Sequence, residues 1–249
     1  MNSQTNPTIE LLRAHRSIRK FEDRPLEDET VRQLVACGQA AATSSNVQAV
    51  TVIQVKSPER RERLAELAGG QGYVASAGAF LVYCADLHRS AAACASQGGE
   101  FEPGMTEHFI IATVDAALSA QTAVIAAESM GLGICYIGGL RNHPAEVSEL
   151  LQLPEQVYPV FGLCIGYPAQ DPEVKPRLAV DAVLMQEVYD NEGQAGHIAD
   201  YDKALSSYYR SRTGGTKDSN WSREMKALVG KESRPHMRGF LEDRGFTMR

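Results

Sequence analysis

The run Glu107-His-Phe-Ile-Ile-Ala-Thr-Val-Asp-Ala-Ala-Leu-Ser-Ala-Gln-Thr-Ala-Val-Ile-Ala-Ala-Glu-Ser-Met130, closed by Gly131, is the longest helical signal in the chain. It is apolar or small nearly all round (Val114, Ala117, Leu118, Ala120, Val124, Ile125, Ala126). Such a helix belongs in an interior, and its alanines let another backbone approach closely. Upstream, Val50 to Val55 is rich in β-branched residues, and Ala79-Phe-Leu-Val-Tyr-Cys84 is a continuous apolar run of strand length, suited to the middle of a sheet. Downstream, Ile134 to Ile137 and Val160 to Ile165 read as further strands.

Helices fill the remaining periodic stretches. Thr8 is placed to cap a first helix through Arg13, after which Ser17-Ile-Arg-Lys-Phe21 reads as extended. A second helix fits Asp28 to about Ala41, with Val31, Leu34 and Val35 on one face. Ser57-Pro58 supplies a cap and then a proline at the first helical position, and that helix stops at Gly69-Gly70. Pro144 opens another, with Val147, Leu150 and Leu151. The segment 91–105, holding Gly98, Gly99, Pro103 and Gly104, reads as a mobile loop or a loosely ordered helix. From 197 onward the pattern is helical without strand: Tyr201, Leu205, Tyr208 and Tyr209 share one face, and Met237, Phe240 and Leu241 share another. That much aromatic surface needs a burial partner, and a second subunit is a good candidate. Helices and strands alternate only in part, and one domain over 1–249 is the expected organisation.

The net charge is −6, from 25 basic and 31 acidic residues, so the overall field favours neither nucleic acid nor an anionic membrane. No run approaches the roughly 18 apolar residues that span a bilayer. Met1-Asn2-Ser3-Gln4-Thr5 lacks a charged-then-apolar signal pattern, which makes the cytoplasm the expected compartment. Five cysteines, Cys37, Cys84, Cys94, Cys135 and Cys164, form no C-x-x-C pair. They read as small apolar side chains in a reducing compartment, not as disulfides or a zinc site.

No familiar catalytic motif is present. Gly131-Leu-Gly133-Ile-Cys-Tyr136 lacks the third glycine of a dinucleotide fingerprint, and it follows a helix and precedes a strand, the reverse of the Rossmann order. What remains is a dispersed set of cations, hydroxyls and glycines at element ends: 15–19, 43–45, 70–73, 136–141 and 175–177. An anionic, planar ligand explains the combination. A phosphate wants arginine forks, hydroxyls and backbone N–H groups, and a flat ring needs glycines where backbone can lie against it. Flavin mononucleotide, FMN, has both parts.

The motifs Thr8-Ile-Glu-Leu, His15-Arg-Ser-Ile-Arg19, Gly69-Gly-Gln71, Ala126-Ala-Glu-Ser-Met-Gly-Leu-Gly133, Tyr136-Ile-Gly-Gly-Leu-Arg141, Phe161-Gly-Leu-Cys-Ile-Gly166, Lys175-Pro-Arg-Leu178 and Lys231-Glu-Ser-Arg-Pro235 stand in register over nearly the whole chain. In them the sequence resembles the oxygen-insensitive NADPH nitroreductases and the bacterial NADPH–FMN oxidoreductases. The resemblance implies an α+β fold, a mixed central sheet ringed by helices. It also implies an intertwined homodimer, with residues 197–249 packing on the partner, and one FMN in each inter-subunit cleft. The flavin contacts it implies are His15, Arg16, Ser17, Ile18, Arg19, Thr43, Ser44, Ser45, Gln48, Gln71, Gly72, Tyr73, Tyr136, Ile137, Gly138, Gly139, Leu140, Lys175 and Arg177. Asn46, Glu107, Arg141, Arg212 and Arg234 are the expected contacts for NADPH or the electron acceptor. Some relatives carry an aromatic residue where this chain has Asn46, which puts the range of acceptors in doubt.

The expected activity is two-electron, ping-pong transfer from NADPH to nitroaromatics, quinones or free flavins. No side chain need act as acid or base, because the cofactor supplies the chemistry. Lys175 and Arg177, with His15 and Arg16, are expected on the phosphate, and Arg19 at the ring edge that turns negative on reduction. A cation there favours the reduced form by up to about 4 kcal/mol at about 4 Å and an effective dielectric of about 20. A dedicated flavin reductase, and a flavin-binding redox sensor without turnover, stay open as alternatives.

Overall fold

The computed structural model describes residues 6–249; the run Met1–Thr5, on which the absence of a signal pattern was read, lies outside them. Among the described residues the elements follow in the order α1 (Pro7–Arg13), α2 (Asp28–Gln39), β1 (Val50–Gln54), α3 (Pro58–Leu67), α4 (Tyr73–Ser76), β2 (Ala79–Asp86), α5 (His88–Ser96), α6 (Thr106–Ser129), β3 (Gly133–Ile137), α7 (Pro144–Leu150), β4 (Val157–Gly166), α8 (Gln194–Arg212), α9 (Trp221–Leu228) and α10 (Met237–Asp243). Two compact units result. One runs to Asp171 and includes His236–Arg249, and the other is Pro172–Pro235.

Local chemistry accounts for the helix ends. Asn6, not Thr8, caps α1: its Oδ1 accepts from the amides of Thr8 (2.9 Å) and Ile9 (3.4 Å), and Pro7 takes the first helical position, where a missing N–H is harmless. Ser57 Oγ accepts from Arg60 N at 3.2 Å to open α3. At the other end Gly69 and Gly70 adopt φ of +89° and +75° and return their amides to Glu66 and Ala65 carbonyls. Part of the stretch expected as loop is helical, since α5 extends to Ser96, although none of its residues is buried.

The sheet has the order β1-β2-β4-β3, and every named pair is antiparallel. Its one parallel pairing is a bridge from Ser17 to Ile134 on the outer side of β3, so the mixed character is confined to that edge. β2 is buried along its whole length, as its unbroken apolar run requires of a central strand. Alternate residues face opposite layers. Phe80, Val82 and Cys84 join Leu64, Leu67, Val74, Leu140 and Val147 on the α3, α4 and α7 side. Leu81 and Tyr83 join Val31, Leu34, Ala120, Val124 and Ala127 on the α2 and α6 side. A third cluster lies at one end, where Phe240, Leu241 and Phe246 pack with Ala112, Ala116, Tyr158 and Val160. The extension expected over 197–249 therefore divides: its last part is buried in the chain's own core.

Two expectations about α6 change. Its alanine face is buried as foreseen, but Ile110, Val114 and Leu118, spaced by one turn, are 48%, 47% and 44% exposed. By length and composition it is also apolar enough to cross a membrane. Here it packs as a core helix, with a fully buried carboxylate, Asp115, at mid-length.

The cysteines are free, with Cys84, Cys135 and Cys164 buried and Cys94 exposed. Burial pushes all three buried thiols up, Cys84 to about 12. In the native protein a thiol reagent should modify Cys94 rapidly and leave those three untouched until denaturant is added. Mass-mapped labelling of Cys84, Cys135 or Cys164 at the rate of Cys94 would contradict this packing.

Candidate functional site

The segment 15–19 lies along the free edge of β3. Ile18 N donates to Ile134 O at 2.8 Å, and the buried Ile18 side chain sits over Gly133. In an extended segment side chains alternate, so Ser17 and Arg19 face away from Arg16 and Ile18. His15 Nδ1 meets Glu128 Oε1 at 2.6 Å. Arg16 donates to the Ala14 carbonyl (2.9 Å) and pairs with Asp171, while its buried Nε has no hydrogen-bond partner. The two cations expected on a phosphate are thus each matched with a carboxylate.

Arg19 is exposed and its guanidinium acts on the nearby Tyr73 hydroxyl. That hydroxyl donates to Gln71 Oε1 (2.6 Å), and Gln71 Nε2 donates to the Ala68 carbonyl (2.7 Å). Burial raises the Tyr73 phenol above its usual value, and Arg19 works against the rise. The same guanidinium acts on Cys135 of β3, so it stands between the end of α3 and the sheet edge.

Directly after β3 the chain turns through a short 3-10 helix, Gly138–Asn142. Ile137 and Leu140 are fully buried in the core, which leaves only their backbone for a ligand. The two glycines between them differ. A Cβ on Gly139 would stand 2.3 Å from the Ala68 carbonyl oxygen and 2.5 Å from Gln71 Nε2, so the chain's own packing demands glycine there. A Cβ on Gly138 would meet only the flexible end of Arg141, at 3.2 Å, and one on Gly72 would meet nothing within 4 Å. The positions of Gly72 and Gly138 are therefore less crowded than that of Gly139. Arg141 donates to the Val160 carbonyl (2.5 Å) and its own carbonyl hydrogen-bonds His236 (3.0 Å). Tyr136, edge-on to Phe161, donates to Gln121 Oε1 (3.3 Å), and burial pushes its phenol up to about 12.

At the other edge of the sheet, Thr43–Gln48 leads into β1. Ser45, Asn46 and Gln48 have φ of +47°, +58° and +54°, a conformation L-residues rarely hold. Asp115 sustains it, its carboxylate accepting from Ser44 N (3.1 Å) and Ala49 N (3.0 Å). Neither Asp115 nor Arg89, which donates to Val50 O and Thr51 Oγ1, was among the expected site residues. The available signal was one carboxylate in an apolar helical run. Thr43 and Gln48 line a cavity of about 510 Å³ with Arg89 and Ser119.

These two groups do not meet within one chain. β1 and β3 are about 14 Å apart across three strand spacings. Asp115 holds one group and Glu128 the other, and the 13 positions between them on α6 span about 20 Å. Glu107 is exposed in the first turn of α6, one turn before Ile110.

In the unit Pro172–Pro235, Lys175 Nζ donates to Tyr209 OH (3.1 Å), and Arg177 donates to the Lys175 carbonyl (3.0 Å). Both line a cavity of about 470 Å³ walled by Tyr201, Tyr209 and Trp221. Arg212 donates to Tyr208 OH (3.0 Å), and Arg234 holds a φ of +52°.

Residues 12–167 match the nitroreductase family, and residues 175–249 match that family's C-terminal domain. The chain belongs to the nitroreductase family. The NADPH-flavin oxidoreductase of Vibrio harveyi is 45% identical over 98% of this chain and all of its own. The FMN reductase (NADPH) of Bacillus subtilis is 44% identical over 97% of this chain and 99% of its own. The solved structure of B. megaterium NfrA1 superposes with a TM-score of 0.94 at 43% identity, over 96% of this chain and 99% of that one.

In this nitroreductase-family chain the Asp115 carboxylate shapes the loop before β1, and its loss is measurable. Asp115→Ala leaves the Ser44 and Ala49 amides without their acceptor and should lower stability by about 2–4 kcal/mol, with Asp115→Asn recovering part through its remaining carbonyl. Denaturant titration checks this, and an alanine variant as stable as the parent would exclude the role.

Proposed function

We propose that this protein is an FMN-dependent NADPH oxidoreductase, a homodimer that reduces nitroaromatics, quinones and free flavins by a ping-pong scheme in the cytosol. The observation that carries it is the cluster of Gln71, Tyr73 and Arg19 beside the Gly138-Gly139 turn, where Gln71 Nε2 stands against Gly139 and the Tyr73 hydroxyl donates to Gln71. The donors and the cation gathered there suit the polar edge of a planar ring. When bound, FMN supplies the two-electron hydride chemistry.

The chain's own residues bind and orient. Arg19 brings positive charge to the ring pocket and favours its reduced form. The peptide groups at 137–139 provide a floor without side chains. Lys175 and Arg177 supply the phosphate's cations, and the engagement of His15 with Glu128 and Arg16 with Asp171 makes those two secondary. Ser17 and Tyr136 complete the edge along β3.

Thr43, Ser44, Ser45 and Gln48 belong to the same cofactor set but stand at the opposite sheet edge, so a second copy must bring them to it. The exposed stripe Ile110, Val114 and Leu118 on α6 supports a subunit interface. An acceptor would then enter beside Glu107 and Asn46. Arg212 and Arg234, with Arg141, serve the NADPH phosphate. Flavin reductase activity shares this scaffold, and relative rates with nitrofurazone, a quinone and free FMN rank the acceptors.

Gly138→Val should purify colourless with an unchanged circular dichroism spectrum, since the added side chain meets only Arg141 within the chain. Full FMN occupancy in that variant would refute the placement. Arg212→Ala should raise KM for NADPH about tenfold or more, with little change for NADH, as expected for one lost phosphate contact. An unaltered ratio of the two would remove Arg212 from the coenzyme site.

A further inference from the structure

The stretch 246–249 grips the segment that leads into α6. Phe246 is buried, edge-on to Phe109 (6.2 Å) of α6 and Tyr158 (5.0 Å) of β4. Beyond it, Arg249 N donates to the Gly104 carbonyl at 2.7 Å. The Arg249 carbonyl accepts from Thr106 N (3.2 Å) and Thr106 Oγ1 (3.0 Å). Its guanidinium donates to the Pro103 carbonyl (2.6 Å) and pairs with Glu102.

Each contact has a local reason. Met105, the N-cap residue of α6, offers no side-chain acceptor, so the Arg249 carbonyl serves the first amide of the helix instead. Gly104 has φ +77°, and a Cβ there would stand 2.0 Å from Thr247 Oγ1, so the close approach depends on glycine. The segment otherwise has little to hold it. α5 before it buries no residue, and from Gln97 to Pro103 only Phe101 is even half-buried. A stretch so sparsely packed opens locally at low free-energy cost unless something clasps it.

We propose that Arg249 is a positioning residue for the acceptor end of the site. Its contacts hold 102–106, and with them the first turn of α6, so that Glu107 presents a fixed lip to a flat electron acceptor. This builds on the placement of Glu107 beside the acceptor. With the clasp released, acceptor binding must also order the lip, and that cost falls mainly on acceptor affinity. NADPH is held in addition by the arginines proposed for its phosphate, so its step depends less on the lip.

Arg249→Ala tests this in the intact dimer, because the side chain is 56% exposed and its removal leaves the core whole. Amide exchange over 97–106 should quicken about tenfold while the central strands keep their protection. KM for a quinone should rise about three- to tenfold, with the rate of flavin reduction by NADPH little changed. Gly104→Val attacks the same contact from its other side and should give the same split. Glu107→Gln, run in parallel, should raise the quinone KM without changing exchange. The main-chain bonds of Arg249 persist in Arg249→Ala, so unchanged exchange in both Arg249→Ala and Gly104→Val overturns the clasp. Faster exchange with an unchanged quinone KM overturns the positioning role if Glu107→Gln raises that KM. If Glu107→Gln leaves it unchanged too, the placement of Glu107 is wrong and the proposal falls with it.

Discussion

A carboxylate fully buried in the middle of an apolar helix would be intolerable without partners, and Asp115 has two, the amides of Ser44 and Ala49. This pairing joins α6 to the loop before β1 and holds Ser45, Asn46 and Gln48 in left-handed backbone. Thirteen positions on, Glu128 meets His15 and anchors the strip beside β3. One helix thus fixes both groups of candidate ligands, and its length sets how far apart they stand.

The sheet explains why those anchors stay put. β2 and β4 are central strands with apolar side chains on both faces, locked between an α2–α6 layer and an α3–α4–α7 layer. Close packing of that kind deforms little, so the polar groups at strand ends keep their geometry. Gly138 and Gly139 show how finely the requirement is divided: one is glycine because a carbonyl and an amide occupy the neighbouring space, the other although nothing rigid does.

Charge follows the same division. Arg16 is balanced by Asp171, while Arg19 stands near the neutral Tyr73 hydroxyl. A guanidinium held in place without a counter-charge keeps most of its field for a neighbour. Lys175, by contrast, donates to the Tyr209 hydroxyl in its own unit with Glu224 on the wall of the same cavity.

By itself the sequence determined the elements, because hydrophobic periodicity, proline and glycine act locally. The buried run 79–84, the long helix ended by Gly131 and the Ser57-Pro58 start all stand where expected, with one cap moved from Thr8 to Asn6. The candidate ligands stand out in the sequence as clusters of cations and glycines, and membership of the nitroreductase family was legible as motifs in register. Tertiary structure alone decided the rest, because it depends on contacts between distant positions. Asp115 is unremarkable until Ser44 and Ala49 arrive beside it. The burial of Phe240, Leu241 and Phe246 in the chain's own core required Tyr158 and Ala112 to be in place. The separation of the two ligand groups is a property of strand order, β1-β2-β4-β3, which no local pattern encodes.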